Sequence, residues 1–308
     1  MSESWVALIN LPHEREESLT AILVALGVRV HRIRARATSV STSSADLEAA
    51  PPALIFLPVE EYDRCRAVLR GFAVQGSRAA AVLLTPSVLT AEGLRTQMHY
   101  DVLNVIPDAL WDDPGCLANT VRGLVFPHEM FDIRRFLPDA AVVERFTIAS
   151  LVQKQQVAEE VMALAKPFAV AQNRLRDLGL IIIELINNAF FHSFRDGGGE
   201  AKYSPPFFSG LEDEESVLLE VAMNDAAIAL AVEDNRGTLD PHEVLKYLRR
   251  QTSGAGIYDS HGRGFYLISS IADHLSVCLT PGQKARVVAV NHGGAGPRIG
   301  SLNFFVSP

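Results

Sequence analysis

The chain reads as two sandwiches in series, a parallel α/β unit followed by an α+β unit, and three observations carry that reading. Residues 1–126 alternate short apolar runs with amphipathic segments, the pattern of a parallel sheet wrapped by helices. Residues 127–142 contain Pro127 and Pro138 and show no clear period, which marks a linker. Residues 143–308 then change order, placing two helices before a hairpin and further helices before three closing strands. A length of 308 residues suits two domains at roughly 100–200 residues each.

In the first unit Val6 to Leu11 reads as a strand and Glu14 to Leu26 as a helix stopped by Gly27. Val28 to Ala35 and Ala53 to Val59 are the next strands, followed by a helix from Glu60 to Phe72. Ala79 to Thr85, a short helix Ala91 to His99, Val102 to Ile106 and a closing helix Pro114 to Val125 complete it. Five strands in β/α alternation make a flavodoxin-like sandwich. Arg32, Arg34 and Arg36 lie two apart, so a strand puts them on one face, and a solvated edge strand guarded by charge is the expectation. Residues 39–50, rich in Ser, Thr and Ala, read as a loop or a poorly formed helix.

In the second unit Arg145 to Ser150 is a strand, Gln153 to Ala165 a helix ended before Pro167, and Arg174 to Phe194 a long second helix. Gly197 to Ser216 is a polar insertion. Val217 to Met223 and Ala227 to Glu233 form a hairpin around Asn224-Asp225. Helices Pro241 to Arg250 and Phe265 to His274 follow, then strands Leu275 to Leu279, Arg286 to Asn291 and Leu302 to Val306. Helices on one face of a mixed sheet are the expected packing.

Composition narrows the function classes. Lys and Arg number 28 against 36 Asp and Glu, a formal charge of −8, which argues against nucleic acid or an anionic membrane as partner. With 48% hydrophobic and 21% charged residues the chain is no disordered segment. Cys65, Cys116 and Cys278 are too scattered for a disulfide framework or a zinc site. The start carries no basic n-region, and no apolar run reaches the ~18–20 residues of a membrane span, so a cytoplasmic location is the expectation.

The order and size of the first unit resemble a response-regulator receiver, with its chemistry missing. Receivers place acids after the first and third strands, a Ser or Thr after the fourth and a Lys after the fifth. Here those places read Asn10-Leu11-Pro12, Leu57-Pro58, Thr85 and Pro107, and only Thr85 matches. Without the acids this is a pseudo-receiver that takes no phosphate; a small α/β sandwich of other ancestry is the alternative.

The chemistry concentrates in the second half. Glu184 and Asn188 share one face of a helix with Asn187 beside them, and the preceding Leu178 to Ile183 is almost wholly apolar. A carboxylate entering a buried region is a functional candidate, although a polar rim on a core helix produces the same pattern. Asp234 ends a strand and is followed by Asn235-Arg236-Gly237-Thr238. His261-Gly262-Arg263-Gly264-Phe265 puts a Gly-rich loop at a helix start, where free N–H groups and the helix dipole suit phosphates.

Three motifs in this order resemble the GHKL (Bergerat-type) ATPase superfamily over residues 143–308, closest to the anti-sigma-factor serine kinases and histidine-kinase-like ATPases. Glu184 to Ser193 is similar to the N box, Val232 to Pro241 to the first glycine box, and Gly262 to Leu267 to the second. The resemblance implies ATP and Mg²⁺ as cofactors. It implies that Asn188 holds the metal, Glu184 is general base, Asp234 accepts from the adenine amino group, and Gly237, Gly262, Arg263, Gly264 and Phe265 line the nucleotide. It further implies that residues 241–261 form a lid whose Lys246, Arg249 or Arg250 could reach the terminal phosphate. Arg236 and Thr238 stand where the family has glycines, and Ala285 where it has a threonine, which puts turnover in doubt. His128 faintly resembles a histidine-kinase phosphoacceptor, but Pro138 and the short distance to Glu184 leave no room for the dimerisation hairpin.

The implied function is a bacterial-type signalling regulator that binds ATP-Mg²⁺ and phosphorylates or sequesters a protein partner, as a protein serine kinase or an ATPase. The alternative is a non-catalytic scaffold built from degenerate two-component modules. A homodimer is compatible with either, with no apolar stripe to place its interface.

Overall fold

The computed structural model describes residues 5–36, 39–42, 52–74, 80–86, 90–168, 175–255, 263–293 and 301–307. It divides into two units, the first taking Met1–Val88 and Arg95–Val125, and the second Leu89–Leu94 and Phe126–Pro308.

The first unit contains β1 (Trp5–Ile9), α1 (His13–Ala25), β2 (Arg29–Arg36), β3 (Ser39–Thr42), β4 (Leu54–Pro58), α2 (Tyr62–Val74), β5 (Ala80–Thr85), α3 (Ala91–Tyr100), β6 (Asn104–Pro107) and α4 (Pro114–Val125). The sheet order is β3-β2-β1-β4-β5-β6, in which β2, β1, β4, β5 and β6 are mutually parallel. This is a parallel five-strand sheet in a mixed α/β unit, consistent with the flavodoxin-like order. Its central strands β1 and β4 are buried at every position, as expected of strands covered on both faces.

Two expectations fail here. The 39–50 stretch contributes a strand: β3 pairs antiparallel with β2, from Ile33↔Thr42 to Arg36↔Ser39, so β2 is not the sheet's edge. Its Ser-Val-Ser-Thr sequence suits a short edge strand better than a loop, and residues 43–50 lie outside the described ones. Nor is the arginine stripe merely solvated. Arg34 Nη1 lies 2.6 Å from Glu16 Oε2 and Arg32 Nε 3.4 Å from Glu16 Oε1, and Glu16 is buried beneath them on α1. Hydrogen bonding to Glu16 raises the Arg34 pKa, with burial opposing.

The second unit contains β7 (Val142–Ile148), α5 (Leu151–Ala165), α6 (Leu175–His192), β8 (Val217–Met223), β9 (Ala227–Asp234), α7 (Pro241–Thr252), α8 (Arg263–Ile271), β10 (His274–Thr280), β11 (Lys284–His292) and β12 (Ser301–Val306). Its sheet runs β12-β10-β11-β9-β8-β7, antiparallel throughout except for the parallel β10–β12 pair. Helices α5, α6 and α8 lie on one face, against β7, β8, β9 and β10. Helix α8 ends at Ile271 and not at His274, because Asp273 turns the chain. Its backbone N–H donates to Val290 and its carboxylate accepts from His292 N at 2.7 Å, which starts β10 at His274.

Residues 127–142, expected to link the units, fall within the second one. Two 3-10 turns, Pro127–Phe131 and Ile133–Arg135, lie against β8, β9, β10 and β12 with Met130 and Ile133 buried. The Cys278 thiol donates to the Met130 carbonyl, and Lys284 Nζ sits 3.9 Å above the Phe131 ring. The registers place Arg145, Glu220, Glu233 and Arg286 side by side on the same face as Cys278. Glu220 and Arg286 are buried and paired, with Arg145 and Glu233 extending the chain of charges.

The 197–216 insertion folds back on the end of α6. Phe208 stacks 4.7 Å from Phe190 and 5.1 Å from Tyr203, while Lys202 bridges Glu212 and Glu215 and the Tyr203 hydroxyl donates to Glu215.

Candidate functional site

Helix α6 positions the acid and the amides. Leu178, Ile181, Ile182, Leu185, Ile186 and Phe190 are buried at helical spacing, and this apolar stripe holds the helix on the sheet. Glu184, Asn187 and Asn188 occupy the flank, half-buried. Gly179 lies opposite Met162 of α5, where an added Cβ would meet the sulfur at 3.1 Å, so the two helices approach closely. Helix α5 is started by Ser150, whose hydroxyl accepts from Gln153 N while the Gln153 side chain accepts from Ala149 N at 2.7 Å.

That start directs Lys154 across to α6, where its ammonium donates to Asn187 Oδ1 at 2.8 Å. Burial pushes the Glu184 carboxyl above its ordinary pKa, and the nearby Lys154 charge opposes the shift. Burial lowers the Lys154 pKa, with Glu184 opposing. No sequence reading singled out Lys154, which stands 33 residues from Asn187.

Helix α8 meets the same flank. Its Gly264 is so close that a Cβ there would lie 2.8 Å from Asn188 Oδ1 and 2.9 Å from Glu184 Oε2. A side chain there would have to push the ends of those two polar groups aside, so the start of α8 and the two polar residues of α6 form one cluster. The Asn188 amide nitrogen is buried with no hydrogen-bond partner among the described residues, leaving that amide with unspent capacity. Arg263 is exposed and Phe265 half-buried on the same first turn, and Gly262 lies outside the described residues.

Asp234 occupies the other end of α6. It is buried at the end of β9, and its Oδ1 accepts from the backbone N–H groups of Arg236 and Gly237, each at 2.9 Å. Its Oδ2 accepts from the Ser193 hydroxyl at 2.7 Å, and Thr238 donates to the Ser193 carbonyl, also at 2.7 Å. A carboxylate offers about four acceptor positions, so these three bonds leave one. Nine residues of helix separate Glu184 from Ser193, about 13 Å at the usual rise. An extended nucleoside triphosphate spans such a length.

Gly237 faces a different neighbour. At φ +60° its Cβ position falls 2.5 Å from the Thr280 carbonyl and 2.7 Å from Lys284 N, and its own carbonyl accepts from Gly282 N. It seats the loop after β9 on the β10–β11 turn. The lid segment begins as α7, capped by Asp240 with Pro241 at its first position, and buries Val244, Leu245 and Leu248. Lys246 pairs with Glu243 at 2.9 Å on its exposed side, and residues 256–261 lie outside the described ones.

The strand ends of the first unit carry different chemistry. Asn10, at φ +51°, donates to the Ala35 carbonyl and to Glu61 and accepts from Ala35 N, so it ties β1 to β2. Beside it a cavity of about 550 Å³ is lined by His13, Arg15, Glu60, Thr85 and Asp108 among others. Arg15 is paired with Asp108 at 2.7 Å and lies over Trp111. The acids there do not meet as a metal-ligand cluster among the described residues.

No protein-family model matches the chain, and no curated protein matches it. Among solved structures, a two-component response regulator from Clostridium difficile is similar at 12% identity and a TM-score of 0.31, over 41% of this chain and 98% of that one. No helix among the described residues is long and apolar enough to cross a membrane.

Proposed function

We propose that the second unit is a GHKL-type site for ATP and Mg²⁺, and that the chain is a signalling regulator acting on a protein partner. The observation that supports this best is Gly264 seated on Glu184 and Asn188, which brings the second glycine motif onto the N-box-like helix although 76 residues separate Gly264 from Asn188. Oxygen donors suit Mg²⁺, and the Asn188 amide oxygen and the Glu184 carboxylate stand together beside Gly264, while the unpartnered Asn188 amide nitrogen is a donor suited to an anionic oxygen. When bound, Mg²⁺ supplies charge neutralisation on the β- and γ-phosphate oxygens.

Asn188 would hold the ion through its amide oxygen. Glu184, kept basic enough by burial to take a proton, would accept it from a serine hydroxyl of the partner or from water. Asp234 would offer its remaining acceptor position to the adenine amino group while its other bonds keep it oriented. The N–H groups at the start of α8, with Arg263, Gly264 and Phe265, would face the phosphates. In this reading the first unit is a receiver-like sandwich that takes no phosphate, since Asn10-Leu11-Pro12 and Leu57-Pro58 stand where a receiver has its acids and Asn10 ties β1 to β2 instead.

A calorimetric titration with ATP and Mg²⁺ tests the site: saturable heat is expected, and none at high protein concentration refutes it. Glu184→Ala then separates the outputs, removing phosphotransfer while leaving ATP-dependent partner binding. A second reading, the non-catalytic scaffold, is favoured by Arg236 and Thr238 in place of glycines and by the missing receiver acids. Partner binding that is indifferent to nucleotide would establish it.

A further inference from the structure

We propose that Lys154 recognises the anionic end of the bound nucleotide, making the site selective for a triphosphate over a diphosphate. The inference rests on the ATP-site reading above and assigns a residue to it. Several cations of the unit are committed elsewhere. Lys246 pairs with Glu243, Lys202 with Glu212 and Glu215, Arg286 with Glu220 and Glu233, and Lys284 lies over Phe131. Lys154 differs, because its hydrogen-bond partner is the neutral amide of Asn187 and, among the described residues, its nearby Glu184 carboxylate does not form a contact ion pair with it.

This half-buried ammonium has the Glu184 carboxylate as a nearby counter-charge and, among the described residues, a hydrogen bond to an amide alone, so a further anion offsets more of its burial cost. Its partner Asn187 is next to Asn188 and three residues from Glu184 on α6, and its charge acts on the Glu184 carboxylate. A terminal phosphate brought to Asn188 therefore comes within the field of Lys154, which would offset the repulsion from Glu184. The Asn187 bond fixes the direction of the side chain, and the two donors that it leaves on the ammonium are suited to phosphate oxygens.

The test compares ATP-Mg²⁺ and ADP-Mg²⁺ affinity by calorimetry in the full chain and in Lys154→Gln and Lys154→Arg, with thermal melts alongside. Glutamine keeps a donor for Asn187 and removes the charge. Lys154→Gln should lose ATP affinity about ten- to hundredfold with ADP affinity nearly unchanged, and Lys154→Arg should retain most of the preference for ATP. Equal losses for both nucleotides, or no loss, overturn the role of Lys154 while leaving the ATP site standing. If wild-type protein binds neither nucleotide, the underlying reading falls, and this assignment with it. Should Lys154→Gln not fold, Lys154→Arg decides alone: an ATP to ADP ratio moved as far as a charge loss would move it contradicts the proposal.

Discussion

Replacing Gly237 by alanine asks whether this glycine serves the fold or a ligand. Its φ of +60° costs an L-residue about 1–2 kcal/mol. The new Cβ would lie 2.5 Å from the Thr280 carbonyl, 2.7 Å from Lys284 N and 2.9 Å from Gln283 N. These are backbone atoms of the β10–β11 turn, pinned by the Gly282 to Gly237 hydrogen bond, so no side chain can swing aside. Overpacking of this kind costs about 1–3 kcal/mol. The sum, about 2–5 kcal/mol, is a large share of a typical domain's stability, and it lowers the unit's melting temperature by about 4–20 °C. Urea unfolding and calorimetry without nucleotide measure it. Gly237→Asn should recover about 1 kcal/mol of the backbone part and none of the contact part, since asparagine tolerates positive φ but carries the same Cβ. A Gly237→Ala variant as stable as wild type, defective only in ATP binding, would refute the reasoning and return Gly237 to the nucleotide site.

Gly264→Ala should behave in the opposite way. The atoms it meets are the ends of the Asn188 and Glu184 side chains, which can turn, and alanine gains about 1 kcal/mol within a helix. Stability should stay within about 1 kcal/mol of wild type while ATP-Mg²⁺ affinity falls about tenfold or more; unchanged affinity contradicts the clustering. Glu184→Gln probes the raised carboxyl pKa. A carboxyl raised on folding favours the folded state while protonated, and that advantage fades as pH climbs from the unfolded value, about 4.3, through the folded one. Melts of wild type and Glu184→Gln should therefore agree near pH 4 and diverge toward pH 8, with the variant more stable. A gap that does not widen with pH rules this out. Glu220→Ala should cost about 1.5–3 kcal/mol in urea unfolding, because it takes from the buried Arg286 one of its two carboxylate partners and leaves Glu233; adding Arg286→Met should recover most of that loss, and a double variant no better than the single one would disprove the pairing.

How far the sequence discloses this molecule depends on the range of each interaction. Helix α6 was legible because its apolar stripe repeats at helical spacing within one segment, and so was the hairpin at Asn224, whose side chain accepts from Ala226 N and Ala227 N. Strand β3 was not, since Ser39–Thr42 becomes a strand only by lying against β2, and the same pairing removes Arg32 and Arg34 from a sheet edge and turns them onto Glu16. The turns at 127–135 have no period of their own and are ordered by the sheet beneath them. In the candidate site the motif residues were named, yet their arrangement depends on contacts that no local pattern encodes: Lys154 on Asn187, Gly264 on Glu184 and Asn188, and Ser193 on Asp234. The same contacts divide the glycines by role. Two that look alike as motif letters are held by different neighbours, Gly237 by backbone and Gly264 by a carboxylate and an amide. Substitution at the first should therefore register in the fold and at the second in the ligand, and measuring both in one protein separates a site from the scaffold that carries it.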